Sequence, residues 1–311
     1  MFKNIVAAVT PSSLCDPAVD KAIAFARRFA AHLHFIFVCE AAKGLGPLDY
    51  HVPFVEYDKV KKDFEGHYKQ KLQKLVNYEI NIHPGVVHTE ILRLARKTEA
   101  DLIVMGPHTK GLDPKAHPKD LAGSCLQKVC QKARCPVMIV AQPDSNEEQG
   151  FANVLVATDL SAAADHAVLY GFQLAKRYQA QLHLLHVMDL EDYLPWSLPS
   201  QREIAAYLQN AKRSLESAYA EAFQPTLDYS LEVWEGIPAL EILKCARLKQ
   251  ADLILMAHHA RDQDAERAVL GSNVVKVALN SLVPTVSINR SFQVKPVQST
   301  FRSGSASPAP Q

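Results

Sequence analysis

Glycine is scarce in this chain of 311 residues, and long apolar runs are lacking. The 12 glycines make up about 4% of the residues, against a usual share of about 7%. A protein that holds phosphates with glycine-rich loops has few positions here at which to do so. No apolar run approaches the roughly 18 residues that span a bilayer, so the sequence predicts no membrane partner.

An excess of charge of one sign is also lacking, and cysteine is sparse. The 34 Lys+Arg against 33 Asp+Glu give a formal net charge of +1, which argues against a general nucleic-acid binder because such proteins carry a basic excess. The apolar stretch at the N-terminus is too short for a secretory signal. Six cysteines are too few for a disulfide scaffold. The sequence therefore predicts a cytoplasmic protein with reduced cysteines.

Three of the cysteines, Cys125, Cys130 and Cys135, are spaced by five residues. On a helix this spacing turns each side chain by about 140° from the last, so the three thiols do not share one face. We therefore predict small packing residues here rather than a metal site.

Four blocks of the first half resemble four blocks of the second half in the same order, at an offset of 148 to 151 residues. The pairs are Asn4–Ala8 with Asn153–Ala157, Ala26–His34 with Ala175–His183, Gly85–Ile103 with Gly236–Ile254, and Gly123–Val137 with Gly271–Thr285. An almost constant offset over four blocks indicates that the chain is two copies of one domain.

The domain boundaries are predicted from composition. The two copies occupy 1–143 and 151–290, and the polar segment 144–150 between them is interpreted as a linker. Residues 291–311 are rich in Ser, Pro, Gln and Gly without an apolar period, which is typical of a disordered tail.

Short apolar segments alternate with amphipathic ones in each copy. In the first copy they predict strands at 4–9, 33–39, 78–83, 101–105 and 136–140, and helices at 17–31, 56–77, 88–98 and 123–133. Apolar strands separated by helices indicate a parallel sheet covered on both faces. Ligands of such sheets bind beyond the carboxyl ends of the strands, where the strand order reverses. The first and fourth strands end near Thr10 and Gly106 in the first copy, and near Asp159 and Ala257 in the second.

The second copy carries motifs that resemble the universal stress protein family. A short strand leads to Asp159 and Ser161, and a second strand at 182–187 contains two histidines. The run Ala-Asp-Leu-Ile-Leu-Met at 251–256 precedes a loop, which is followed by Gly271-Ser272 and then Val-Pro-Thr-Val. Two such copies resemble the tandem, UspE-like branch of the family, and the resemblance covers 3–142 and 151–290.

The resemblance implies the α/β class, with two Rossmann-like (adenine nucleotide alpha hydrolase-like) domains. Each domain is expected to be a five-stranded parallel sheet with helices on both faces. The family also implies dimer-like pairing of the two copies and a role in stress regulation. Many members bind ATP or AMP, and others bind no nucleotide. The sequence predicts no metal cofactor.

In nucleotide-binding members the loop after the fourth strand resembles Gly-x2-Gly-x9-Gly-Ser/Thr, and an Asp ends the first strand. Glycines let the phosphates approach the backbone, and Gly-Ser at a helix start offers N–H groups and the positive end of the helix dipole. The corresponding positions of the first copy are Thr10, Gly106, Gly123 and Ser124. Thr10 replaces the Asp, Thr109 replaces the second glycine, and the spacing is longer. We therefore expect a degenerate site in the first copy.

The second copy keeps the acidic residue and the Gly-Ser pair. Ala257 and Ala260 replace the first two glycines, and each adds a methyl group where a phosphate would approach. Arg261 and Arg267 of the same loop offer positive charge to an anion. The resemblance implies binding positions at Asp159, Val187, Ala257, Ala260, Gly271, Ser272 and Asn273. The second copy is accordingly predicted to bind ATP, AMP or another phosphate ligand.

Three interpretations of function stay open at this point. The first is a regulatory binding protein, and the second is an enzyme that hydrolyses ATP slowly, although no catalytic residue is assigned beyond Asp159 as a candidate base. The third is a structural interaction module without nucleotide, in which both pockets are blocked and the exposed edge strand mediates pairing, with self-association as one form of it. Asp159 also has a plain alternative role, because an Asp at this position can cap the turn into the following helix.

Overall fold

The strands of the computed structural model form one ten-stranded sheet. The structure describes residues 2–10, 15–39, 54–73, 75–106, 124–143, 151–189, 199–220, 227–257 and 272–288. The predicted linker at 144–150 and the predicted tail at 291–311 therefore lie outside the described residues.

The first copy contributes β1 (Asn4–Ala8), α1 (Asp16–Phe29), β2 (His32–Cys39), α2 (Phe54–Leu72), β3 (Tyr78–Pro84), α3 (Val87–Lys97), β4 (Leu102–Met105), α4 (Ser124–Lys132) and β5 (Val137–Ile139). The second copy contributes β6 (Asn153–Ala157), α5 (Ala162–Tyr178), β7 (Gln181–Asp189), α6 (Gln201–Leu215), β8 (Tyr229–Gly236), α7 (Pro238–Leu248), β9 (Leu253–Ala257), α8 (Ser272–Asn280) and β10 (Thr285–Ile288), with a π-helical turn at Glu216–Ala220 after α6. The predicted elements are confirmed to within a few residues, except that α2 ends at Leu72 rather than at 77. It ends early because the carbonyl of Asn77 accepts a hydrogen bond from the amide of Leu33 on β2.

The sheet has the strand order β3-β2-β1-β4-β5-β10-β9-β6-β7-β8. Every neighbouring pair is parallel except β5 and β10, which run antiparallel with Met138 opposite Val286. Each copy is thus a five-stranded parallel unit, as predicted, and the two units join edge to edge as the resemblance implied. Within each unit the order reverses between the first and fourth strands, which are β1 and β4, or β6 and β9. That reversal is where a parallel sheet of this kind opens a crevice.

Side chains on the two faces of the sheet form two apolar clusters, each of which runs through both copies. One cluster includes residues of α1, α2, α5 and α6, and the other includes residues of α3, α4, α7 and α8. Where the copies meet, Phe29 of α1 stacks on Phe151 with ring centroids 6.2 Å apart, and Phe151 lies 5.4 Å from Tyr178 of α5. Burial of these rings holds the two units together on that face.

The duplication extends to the hydrogen bonds of individual carboxylates. Oδ2 of Asp252 accepts hydrogen bonds from the amides of Ala152 and Asn153, at 2.7 and 2.8 Å. Asp101 bonds the two amides at the start of β1 in the same way. The aspartate that the sequence repeat contains therefore anchors the first strand of each copy.

A glycine with positive φ lies at the end of the third strand of each copy, directly after β3 in the first copy and as the last residue of β8 in the second. Gly85 and Gly236 have φ of +138° and +139°, a conformation that a residue with a Cβ rarely adopts. A Cβ at Gly236 would also lie 2.9 Å from Cγ of Glu241. Both positions thus require glycine. Among the described residues, no helix is long and apolar enough to cross a membrane.

Candidate functional site

The carboxyl ends of β6 and β9 lie side by side at the crevice of the second copy. Ala157 of β6 is paired with Met256 of β9, so Asp159 and Ala257 follow at the same edge of the sheet. Val187 lies near the end of the neighbouring strand β7 and is half-buried. Helix α8, which follows β9 in the chain, begins at Ser272. A helix that leads from β9 back to another parallel strand starts at this same edge.

Asp159 is exposed, and its carboxylate shapes the turn that leaves β6. Oδ1 accepts a hydrogen bond from the amide of Ser161 at 3.0 Å. The cap of helix α5 is Ser161, whose hydroxyl accepts from the amide of Ala164 at 3.2 Å. Asp159 thus bonds the turn into α5, as its plain alternative role predicted, whereas the N-cap residue of the helix is Ser161. The geometry leaves the carboxylate on the surface of the crevice edge.

The turn itself is strained at Leu160, which has a φ of +63°. The left-handed region costs a residue with a Cβ about 1–2 kcal/mol. Thr158 holds the turn, because its Oγ1 accepts a hydrogen bond from the amide of Leu160 at 3.1 Å. The other described non-glycine residues with positive φ end helices, in matching pairs between the copies: Ala30, Gln179, Glu99 and Gln250. Leu160 differs from them because it follows a strand at the crevice.

His186 of β7 is buried directly beneath this turn. Its Nδ1 lies 2.9 Å from the carbonyl oxygen of Thr158, and its Nε2 lies 2.8 Å from the hydroxyl of Tyr207 on α6. A carbonyl only accepts, so Nδ1 carries the proton and Nε2 of the neutral ring accepts from Tyr207. Burial lowers the pKa of His186, and the bond to Thr158 and the charge of Asp159 oppose that shift. The neutral imidazole therefore supports the backbone that carries Asp159.

His186 is not among the site residues that the sequence predicts. The only sequence signal is that it and His183 are three residues apart on one strand, which places them on opposite faces of the sheet. His183 accordingly bonds Ser230 of the neighbouring strand, with Nδ1 2.8 Å from Oγ. The hydrogen bond between His186 and Thr158 could not be predicted from the spacing of residues in the sequence, because it depends on how the turn after β6 folds over β7.

The corresponding turn of the first copy has a different chemistry. Thr10 stands where the second copy has Asp159, and its Oγ1 lies 3.2 Å from Sγ of Cys15. The hydroxyl of Tyr68 on α2 donates to the carbonyl oxygen of Thr10 at 2.9 Å. The position of His186 is occupied by Phe37. At this position the first copy thus presents a hydroxyl in place of a carboxylate.

The remaining predicted positions are only partly described. Gly106 is buried at the end of β4, and Asn273 is the half-buried second residue of α8. Ser124 and Ser272 begin α4 and α8. Their side chains, together with Gly123, Ala260, Arg261, Arg267 and Gly271, lie outside what the structure describes.

The cysteines in α4 and just after it behave as packing residues. Cys130 and Cys135 are buried, and burial raises the pKa of each thiol to about 12. Cys125 is half-buried. The burial of Cys130 and Cys135 agrees with the prediction that they are small packing residues.

Comparison with known proteins identifies the repeated unit. The model of the Universal stress protein family matches residues 1–141 and again 150–288. A universal stress protein of Methanocaldococcus jannaschii is 25% identical over 147 residues, which cover 47% of this chain and 86% of that protein.

Solved structures agree over almost the whole chain. The crystal structure of a universal stress protein from Archaeoglobus fulgidus has a TM-score of 0.65 at 22% identity and covers 92% of this chain and 96% of its own. A putative universal stress protein from Pseudomonas aeruginosa has a TM-score of 0.60 at 15% identity, with 93% and 94% covered. At these identities the likeness shows the fold. The doubled match to the family model, on the Rossmann-like α/β architecture described above, shows that the chain belongs to the universal stress protein family as a tandem member.

Proposed function

We propose that this chain is a cytoplasmic regulatory protein of the UspE-like branch whose second copy binds an adenine nucleotide, ATP or AMP, or a related phosphate ligand. The first copy is proposed to be degenerate and to support the second through the shared sheet. No catalytic residue is proposed, since the described crevice offers Asp159 alone as a candidate base.

The observation that supports this proposal is the difference between the two strand-end turns. Asp159 presents an exposed carboxylate beside the point in the second copy where the strand order reverses. Thr10 at the equivalent point presents a hydroxyl that already contacts Cys15. A carboxylate at this position can accept hydrogen bonds from the hydroxyls of a ribose, whereas the Thr10 turn cannot offer that charge.

Phosphate recognition is proposed for the start of α8. The first N–H groups of a helix have no partner within the helix, and they favour negative charge together with the helix dipole. Ala257 stands where the family has a glycine, so the phosphates are expected to lie farther from β9 than a glycine would allow. This favours a ligand held mainly by its ribose and by the helix start.

The experiment is a titration of nucleotide-free full-length protein with ATP and AMP by calorimetry, combined with mass spectrometry of any nucleotide that co-purifies. Asp159→Asn keeps the size and the turn-forming oxygen but removes the charge, and we expect at least a tenfold loss of affinity. Thr10→Val is the matched control in the first copy and should leave affinity unchanged.

Two results would contradict the proposal. Equal affinity of the Asp159→Asn variant and the unchanged protein would place the ligand elsewhere. Absence of binding by both nucleotides, with none co-purified, would favour the structural interaction module. Phosphate release above that of a heat-inactivated sample would instead favour the slow hydrolase.

A further inference from the structure

Two histidines and a glutamate lie together in the first copy, near the amino ends of β2 and β3. They are therefore far from the carboxyl ends of the strands, where the crevice lies. His32 and His34 are two residues apart on β2, so both side chains lie on the same face of the sheet. Glu79 of β3 is paired directly with His34. One ligand atom from each of the three residues lies within 4.8 Å of the others.

The two imidazole rings are stacked, with centroids 4.3 Å apart and planes inclined by 11°. Nδ1 of His34 lies 3.2 Å from Oε2 of Glu79. Nε2 of His32 is buried and has no hydrogen-bond partner among the described residues. A buried ring nitrogen without a partner is uncommon, and here it belongs to a ring that is stacked on a second histidine.

The second copy provides a built-in comparison. Its equivalent residues are Gln181, His183 and Ser230, in the same register between β7 and β8. There Nδ1 of His183 lies 2.8 Å from Oγ of Ser230, and its Nε2 lies 3.4 Å from Oδ1 of Asn153. Both ring nitrogens of His183 thus have polar partners. The first copy replaces this closed arrangement with two imidazoles and a carboxylate, which are ligand types for a metal ion.

We propose that His32, His34 and Glu79 bind a divalent transition-metal ion, with Zn²⁺ as the best-fitting ion. Two imidazole nitrogens and one carboxylate oxygen are a ligand set that zinc accepts, with an open fourth position for water. Bonds of about 2.0–2.2 Å in a tetrahedral site require ligand atoms about 3.5 Å apart. The three ligand atoms lie within 4.8 Å of one another, so the side chains must move slightly closer to bind an ion. The side chain of Glu79 is 58% exposed, so packing does not prevent it from making this movement.

The local electrostatics agree with this geometry. The carboxylate of Glu79 adds the negative charge that a divalent cation needs in a partly buried place. The ion would tie β3 to β2 at the outer edge of the sheet.

The test is Zn²⁺ binding by full-length protein that has been treated with a chelator and dialysed. Calorimetry and elemental analysis should show one bound ion that is lost in Glu79→Gln, with a dissociation constant raised at least about 100-fold, since even partners outside the ligand shell cost 10–100-fold. His32→Gln should have the same effect. The control His67→Gln alters a half-exposed histidine that pairs with Asp16 and should retain the ion. Circular dichroism of each metal-free variant confirms that it is folded.

Co²⁺ provides a readout of coordination. The unchanged protein should give the visible absorption bands of a four-coordinate Co²⁺ site, and Glu79→Gln should not. The double variant Gln181→His with Ser230→Glu builds the same three ligand types into the second copy and should bind one more ion. Zn²⁺ binding that is unaffected by both Glu79→Gln and His32→Gln, or absent from the unchanged protein, would overturn the proposal, and so would a double variant that gains no ion.

Discussion

Nδ1 of His186 donates a hydrogen bond to the carbonyl oxygen of Thr158 over 2.9 Å. This bond joins the buried part of β7 to the turn that presents Asp159. The hydroxyl of Tyr207 on α6 forms a hydrogen bond with the other ring nitrogen, Nε2. A surface carboxylate of the crevice is therefore positioned by a buried imidazole, and the consequence can be measured.

Replacement of His186 by phenylalanine should loosen this turn. Phe37 occupies the same position in the first copy, so the substitution fits the fold but removes both hydrogen bonds of the ring. We expect a loss of about 1–3 kcal/mol in the free energy of unfolding, because the carbonyl of buried Thr158 loses its partner. Urea denaturation measures this change. Tyr207→Phe, which removes only the outer bond, should cost less, and an equal cost would contradict the role assigned to Thr158.

Acidification should destabilise the protein before the carboxylates titrate. Burial is the largest cause of a lowered pKa at four described histidines: His34, His88, His183 and His186. The unfolded chain, with an ordinary histidine pKa of about 6.5, binds more protons than the folded protein in this range. The stability that these neutral rings contribute is complete above that value and is lost as the pH falls towards the lower pKa of the folded state.

Urea denaturation at pH 7.5, 6.5 and 5.5 tests the sign of this dependence. The free energy of unfolding should fall over the series, and the fall should be smaller in His186→Phe. A free energy that rises towards pH 5.5 would show that the folded state binds the extra protons.

Two glycine-to-alanine substitutions should act in opposite directions. A Cβ at Gly171 in α5 would lie 2.6 Å from Cγ2 of Val156 and 3.1 Å from Cδ1 of Leu255, so the helix would have to move away from the sheet. We expect Gly171→Ala to cost about 1–3 kcal/mol. Gly66 in α2 has nothing within 4 Å of such a Cβ, and Gly66→Ala should stabilise by about 0.5–1 kcal/mol. Thermal unfolding of the two variants gives both signs, and a shift in the same direction for both would contradict the close approach of α5 to β6.

Buried thiols should resist modification in the folded protein. Burial raises the pKa of Cys130, Cys135 and Cys245 to about 12 in each case, so at pH 8 almost no thiolate is present. Cys39 and Cys125 are half-buried and should react first. Labelling with a thiol reagent followed by peptide mass spectrometry checks this order. In guanidinium all six cysteines should react, and rapid labelling of Cys130 without denaturant would contradict the packing described for α4.

Much of the architecture was predictable from the sequence because it depends on local patterns that occur twice. Apolar bursts such as Leu102–Met105 predicted buried strands, and the repeat predicted two equal units. Residues 78–83 contain fewer apolar residues than the other predicted strands, because β3 is an edge strand whose first two residues are exposed. The helix α2 was predicted too long, since its end is decided by pairing between Asn77 and Leu33 and not by local preference.

The side-chain contacts at the Asp159 turn and at the cluster of His32, His34 and Glu79 were harder to predict from the sequence. Asp159 was identified from its place after a strand, yet Ser161 proved to be the helix cap. The bond between His186 and Thr158 and the contact between His34 and Glu79 each join residues that are distant in the chain. Such contacts depend on strand register, which a pattern of apolar residues does not specify for individual polar side chains.

The sequence by itself determined that the chain is duplicated and that each copy is a parallel α/β unit, and it places Thr109, Ala257 and Ala260 where the family resemblance predicts glycines. Only the tertiary structure decided that β5 and β10 join the copies antiparallel, that a neutral imidazole holds the Asp159 turn, and that His32, His34 and Glu79 lie together near the outer edge of the sheet in the first copy. The physical reason is the range of the interactions. Periodicity and composition record which residues are buried, whereas partners across strands are fixed by the packing of the whole sheet.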